Sequence, residues 1–195
     1  MEYESKILKL FKNGYLTTKD VTDNNIPRTY LTKLIKENEI ERVSRGVYIK
    51  KNVLVDEFMI LQNKSKYAIY SNTTALYLHG LSNRIPIRYD ITVKSGYKGS
   101  LQKEKNVNLF YTKKELLELG VIDYKLDSGN VIRVYDLDKT ICDIIRNKKK
   151  IDAEIFNKAI REYFYSKKKN TLKLYEYAKK MNIYNKVRKK ATIFC

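Results

Sequence analysis

Between Arg28 and Lys50 the chain sets Arg28, Thr29, Thr32, Lys33 and Lys36 at helical spacing, then Arg42 and Arg45 beside a glycine, with Lys50 and Lys51 close behind. Guanidinium and ammonium groups carry permanent positive charge, and threonine hydroxyls both donate and accept. Such a set suits phosphates and base edges better than bond-making chemistry. The sets that would suit catalysis are incomplete. Asp90 and Lys94 place a carboxylate and an amine on one candidate strand, as metal-dependent nucleases do, but Thr92 stands where the second acidic residue is needed. Ser71 or Ser82 with His79 would give a nucleophile and a base, without a nucleophile elbow or a glycine-rich oxyanion loop. His79 falls in the last turn of a candidate helix, where the helix dipole favours an imidazole that packs or caps. The seven glycines form no phosphate-cradling pattern. Cys142 and Cys195 lack metal-ligand spacing, so no metal, cofactor, disulfide or enzymatic activity is expected.

Charge points to the same class of partner. Forty Lys and Arg against 22 Asp and Glu leave +18, a balance that favours polyanions. Residues 1–52 hold 11 basic and 7 acidic side chains, residues 53–145 hold 13 and 11, and residues 146–195 hold 16 and 4. The excess therefore sits at the C-terminal end, where Lys148, Lys149 and Lys150 and then Lys167, Lys168 and Lys169 fall in links between helices. Those clusters read either as a second electrostatic surface or as solvated loops. No run approaches the length of a membrane span, and Met1-Glu2-Tyr3-Glu4 lacks the basic start of a secretory signal, so a cytoplasmic protein without a membrane partner is expected.

The elements that must position the first set can be read in order. Tyr3, Ile7, Leu10 and Phe11 make the stripe of a first helix stopped at Asn13-Gly14. Thr17 or Thr18 caps a second, with Val21 inward. Ile26-Pro27 opens a third, with Leu31, Leu34 and Ile35 as its buried stripe; Thr29, Lys33 and Lys36 then lie opposite, flanked by Arg28 and Thr32. Beyond Asn38 the period alternates, and Ile40 to Lys51 around Ser44-Arg45-Gly46 reads as a hairpin. Three short helices and a basic hairpin make a winged helix-turn-helix over residues 1–52, with the third helix aimed at a major groove and Arg42 and Arg45 at phosphates or a minor groove.

Residues 53–195 form the expected second domain, a small sheet with helices to about residue 135 and helical from 136 to 195. Its elements are a connecting helix from Val53 to Leu61, a helix from Ser71-Asn72-Thr73-Thr74 to Gly80, strands at Tyr89–Lys94 and Val107–Tyr111, and a helix opened by a Thr112–Glu115 capping box. A hairpin about Asp127-Ser128-Gly129-Asn130 follows. Three apolar stripes come last: Leu137, Ile141, Ile144 and Ile145; then Ile155, Phe156, Ala159, Ile160, Tyr163 and Phe164 after Asp152; then Leu174, Ala178 and Met181 after Thr171. The fold class is α+β, with a winged helix-turn-helix, a mixed α/β domain and a helical C-terminal segment.

Three segments, Glu41-Arg42-Val43-Ser44-Arg45-Gly46-Val47-Tyr48, Thr74-Ala75-Leu76-Tyr77-Leu78-His79-Gly80-Leu81-Ser82 and Arg133-Val134-Tyr135-Asp136-Leu137-Asp138-Lys139-Thr140-Ile141-Cys142-Asp143, resemble the signatures of AbiEi antitoxins. The third departs from the family in having Asp138-Lys139 where Glu-Arg is usual. The resemblance implies an N-terminal winged helix-turn-helix that binds double-stranded promoter DNA at inverted repeats and represses its own operon. It also implies a C-terminal domain that counteracts a nucleotidyltransferase toxin, in a type IV toxin-antitoxin system of abortive phage infection, without a stable complex with that toxin. An operon repressor whose C-terminal domain senses a ligand or partner is the alternative, and a DNA-processing enzyme ranks third.

Overall fold

The computed structural model describes residues 2–12, 14–52 and 56–194. The chain is a mixed α+β protein with two sheets, divided into two compact units: Met1–Lys66 with Lys125–Val131, and Tyr67–Tyr124 with Ile132–Cys195. Among the described residues no helix is long and apolar enough to cross a membrane.

The first unit begins with α1 (Glu2–Lys9), β1 (Tyr15–Thr17), α2 (Thr18–Asp23), α3 (Thr29–Lys36), β2 (Ile40–Ser44), β3 (Val47–Lys50) and α4 (Glu57–Lys64). Thr17 caps α2 through a reciprocal pair: its hydroxyl accepts from the Asp20 amide at 3.2 Å, and its own amide donates to Asp20 Oδ2 at 2.8 Å. The same residue ends β1, which adds a strand to the hairpin and gives the order β1-β3-β2. Ile7, Leu16, Val21, Ile26, Leu31, Leu34, Ile40 and Tyr48 close the core.

Several expectations shift here. Helix α1 stops at Lys9, so Leu10 and Phe11 pack on the core from beyond it; Asn13, the expected stop, lies outside the described residues. Helix α3 starts at Thr29 rather than at Ile26-Pro27, with Arg28 as its cap. Ile35 leaves the expected stripe and is 37% exposed, while Leu31 and Leu34 are buried. Helix α4 starts after Asp56, whose carboxylate accepts from the Phe58 amide; Val53, Leu54 and Val55 of the expected helix lie outside the described residues.

The second unit contains β4 (Ile69–Tyr70), α5 (Asn72–Leu78), β5 (Tyr89–Lys94), β6 (Val107–Thr112), α6 (Lys114–Leu117), β7 (Val121–Lys125) and β8 (Val131–Tyr135) apart from Lys125 and Val131, α7 (Leu137–Arg146), α8 (Ala153–Tyr165), α9 (Thr171–Lys180) and α10 (Tyr184–Ala191). The sheet order is β6-β5-β4-β8-β7, with β4 antiparallel to β5 and parallel to β8, and β5 parallel to β6 from Tyr89↔Val107 to Lys94↔Thr112. Helix α7 is buried along nearly all its length, and α8, α9 and α10 close a core around it from Phe156, Ile160, Leu174, Ala178 and Val187. Thr112 is not a cap: it stays in β6, buried, and Lys113 precedes α6 without a side-chain bond. Asn170, rather than Thr171, caps α9 by accepting from the Lys173 amide at 3.1 Å.

Candidate nucleic-acid interface

Three of the expected basic residues converge where α2 meets the turn between β2 and β3. The Thr18 amide donates to the Gly46 carbonyl at 2.8 Å, docking the turn on the first residue of α2. Gly46 has φ +77°, and a Cβ there would stand 3.0 Å from the Thr18 hydroxyl, so glycine meets both the backbone and the steric need. The result is a concavity of about 640 Å³ lined by Lys19, Thr22, Arg28, Arg42 and Arg45 together with Thr18, Asp23, Gly46 and Tyr48.

Two of the three guanidinium groups at this notch are held by neighbours. Arg28 donates from Nε and Nη2 to the Thr22 hydroxyl at 3.2 and 3.1 Å, and Arg42 Nε donates to the Ser44 carbonyl at 3.3 Å. Arg45 is exposed at the tip. Four cations around one open concavity, two of them fixed by a hydrogen bond, suit a phosphodiester, because part of the entropy of ordering the forks is already spent. Lys19, Thr18 and Thr22 were not among the expected contacts. Their only sequence signal was membership of the helix that Thr17 caps.

The remaining candidates lie elsewhere. Thr29, Thr32 and Lys36 are exposed on α3. Lys33, on the same helix, ion-pairs with Glu4 of α1, a residue 9% exposed, and stands 3.7 Å from Glu37. The Glu4 carboxylate raises the Lys33 ammonium above its ordinary value and is itself lowered by the contact. Lys50 is half-buried with its ammonium 5.5 Å from the Phe11 ring, and Lys51 donates to Asn38 Oδ1 at 2.8 Å.

In the second unit Asp90, His79 and Ser71, three of the residues weighed for catalysis, are tied into the fold, while Lys94 is exposed. Asp90 is buried; its Oδ2 accepts from the Thr73 amide at 3.0 Å and the Thr73 hydroxyl at 2.5 Å, and its Oδ1 from Asn108 at 3.1 Å. Burial raises its pKa against those bonds. His79 shares a hydrogen bond of 2.8 Å with the Tyr135 carbonyl through Nε2, and burial lowers its pKa. Ser71 donates to the Asp90 carbonyl at 3.4 Å and accepts from the Thr92 hydroxyl at 2.8 Å. Among the described residues no group of three His, Cys, Asp or Glu could hold a metal.

The segment 133–143 is a buried polar network. Lys139, 2% exposed, donates to both Asp143 oxygens at 2.8 and 2.7 Å and lies 3.8 Å from the Tyr135 ring centroid. Asp136 caps α7 at the Lys139 amide and accepts from the Tyr177 hydroxyl at 2.9 Å, while Asp138 accepts from Tyr163 at 2.7 Å and from the Asn170 amide at 2.9 Å. Burial pushes the Cys142 thiol up to about 12, which leaves it inert near neutral pH. Of the separated clusters, Lys148 to Lys150 form an exposed 3₁₀ turn and Lys167 to Lys169 an exposed link after α8, in which Lys169 donates to the Phe164 carbonyl.

Residues 5–49 match the family described as "Transcriptional regulator, AbiEi antitoxin". The resemblance to AbiEi antitoxins therefore holds over the segment that builds the notch and α3. Among solved structures, the crystal structure of the RV2827C protein from Mycobacterium tuberculosis is similar in fold, with a TM-score of 0.66 over 93% of this chain and 72% of that chain at 9% identity. A search of curated proteins finds no match.

Proposed function

We propose that this chain is a DNA-binding antitoxin that represses its own operon, with residues 1–52 acting as a winged helix-turn-helix. The observation that carries this reading is the gathering of Arg28, Arg42, Arg45 and Lys19 around one notch beside α3, whose outer face offers Thr29, Thr32 and Lys36. Helix α3 enters the major groove of double-stranded promoter DNA at inverted repeats, and the β2–β3 turn, as the wing, holds the backbone. Residues 53–195 form the antitoxin domain, which counteracts a nucleotidyltransferase toxin in the cytoplasm; the family match ends at residue 49, and this part rests on the resemblance of segments 74–82 and 133–143 to the AbiEi signatures.

The test compares gel shifts on the chain's own promoter duplex and on a scrambled duplex of equal length. Preference for the promoter, weakening steeply with salt, is expected. The variant with Arg42→Gln and Arg45→Gln should weaken binding to both duplexes and reduce the salt slope by about 0.9 for each phosphate that it no longer neutralises, yet still protect cells that express the toxin. Equal affinity for the two duplexes would reject specific repression; loss of protection in that folded variant would reject the division of labour.

A further inference from the structure

Helices α8 and α10 enclose a groove of about 510 Å³ that promoter binding leaves without a role. Its floor is apolar, from Ile160, Ile193 and Phe194, and its rim carries Lys158, Arg161 and Lys190. The acidic rim residue Glu154 is engaged by Arg84 at 2.6 Å, and Lys158 approaches Glu162 at 3.8 Å. Among the described residues neither Arg161 nor Lys190 forms an ion pair. Phe156, which also lines the groove, has the Lys190 ammonium 5.5 Å and the Lys148 ammonium 5.3 Å from its ring centroid. Aromatic groups interleave with these cations: Phe194 stacks on Phe164 at 5.3 Å, and Tyr165, 72% exposed, meets Phe194 edge-on at 5.8 Å.

We propose that this groove binds single-stranded nucleic acid. A duplex keeps its bases stacked inside and is too wide to enter, so it would desolvate the floor without touching it. A single strand turns its bases outward, and they can lie on Phe194, Ile193 and Tyr165 while successive phosphates meet Arg161, Lys190 and Lys158. The volume fits about one or two nucleotides, within the usual range of a ligand pocket of about 300–1,000 Å³. An acidic peptide would satisfy the cations but leave the exposed Tyr165 ring, which meets Phe194 only edge-on, without a planar partner. The groove lies wholly within the second unit, so the proposal stands apart from promoter binding by residues 1–52.

The experiment is a fluorescence-anisotropy titration of the full chain with labelled oligo(U) and oligo(dT) of about twelve nucleotides and a scrambled duplex of the same length, over a range of salt. Wild type should bind both single strands, a difference between them reporting contact with the sugar. The combined variant Lys158→Gln, Arg161→Gln, Lys190→Gln should lose on the order of tenfold in single-strand affinity and about 0.7 in salt slope for each phosphate released from a cation. The milder Tyr165→Ala, at an exposed position, should weaken binding about fivefold or more with the slope unchanged, as the removal of stacking does. Neither variant should alter promoter binding, and circular dichroism checks that both are folded. The proposal is overturned if wild type fails to bind single strands, if both variants bind them as wild type does, or if the triple variant loses duplex affinity equally. Displacement of oligo(U) by polyglutamate of equal charge as effectively as by unlabelled oligo(U) would overturn it in favour of an acidic protein partner.

Discussion

At the scale of single residues, Lys33 and Lys139 show how a partner changes what a cation can do. Lys33 has the same sequence credentials as Lys36, yet Glu4 and Glu37 already engage it. We expect Lys36→Ala to cost about 1–3 kcal/mol of operator binding if it reads a base, and Lys33→Ala to cost less than Lys36→Ala in the same titration. Equal losses would mean that Lys33 leaves Glu4 when DNA arrives. The i,i+4 spacing of Lys139 and Asp143 would ordinarily mark a surface pair, but α7 is buried on that side and desolvation pushes the Asp143 carboxyl up against the pull of Lys139. Lys139→Met leaves a buried carboxylate without its cation, and we expect a loss of about 3–5 kcal/mol in urea unfolding. Lys139→Met with Asp143→Leu should recover most of that loss. If the double variant were as unstable as the single one, the pair would not be the reason.

At the scale of elements, two glycines decide close approaches. Gly46 lets the β2–β3 turn dock on α2, and Gly46→Ala should destabilise the first unit by about 1 kcal/mol and weaken promoter and scrambled duplexes alike. Gly120, with φ +75°, stands before β7 where a Cβ would fall 2.6 Å from Lys139 Cβ and 3.2 Å from the Tyr177 ring. Its carbonyl also accepts from the Asp136 amide at 2.7 Å. Gly120→Ala combines backbone strain with overpacking and should cost about 2–4 kcal/mol by thermal or urea unfolding; a wild-type midpoint would contradict the close approach. Period and caps made most elements legible: the hairpin around Gly46, the Asp152 cap of α8 and the strand at Tyr89–Lys94 all stand where the residues place them. Strands β1 and β4 were not legible, since three and two residues are too short to show a period and become strands only when β3 or β5 and β8 lie alongside.

At the scale of the whole molecule, the pH dependence of stability follows from groups that burial has shifted in opposite directions. The folded state lowers His79 from its ordinary value of 6.5, with desolvation the main cause. Below that value the unfolded chain takes up a proton that the folded chain refuses, so stability is lost as pH falls. Asp90 is raised from 3.8 and works in the opposite sense, gaining stability as pH falls through its folded value toward 3.8. We expect the melting temperature to decline between about pH 7.5 and about 5.5, the window in which an ordinary imidazole titrates, and the decline to shrink in His79→Gln. An undiminished decline in that variant would assign it to other groups. The residues alone determined the α+β class, the sequence of helices and hairpin that resembles an AbiEi N-terminus, the basic set from Arg28 to Lys50 and the absence of a complete catalytic motif. These are local properties, fixed by period, caps and side-chain type. Only the tertiary structure decided that Arg28, Arg42 and Arg45 share a notch with Lys19, that Lys33 turns to Glu4, and that Lys148 and Lys190 meet at Phe156. Each joins residues from different elements, and their distances follow from packing that no spacing along the chain encodes.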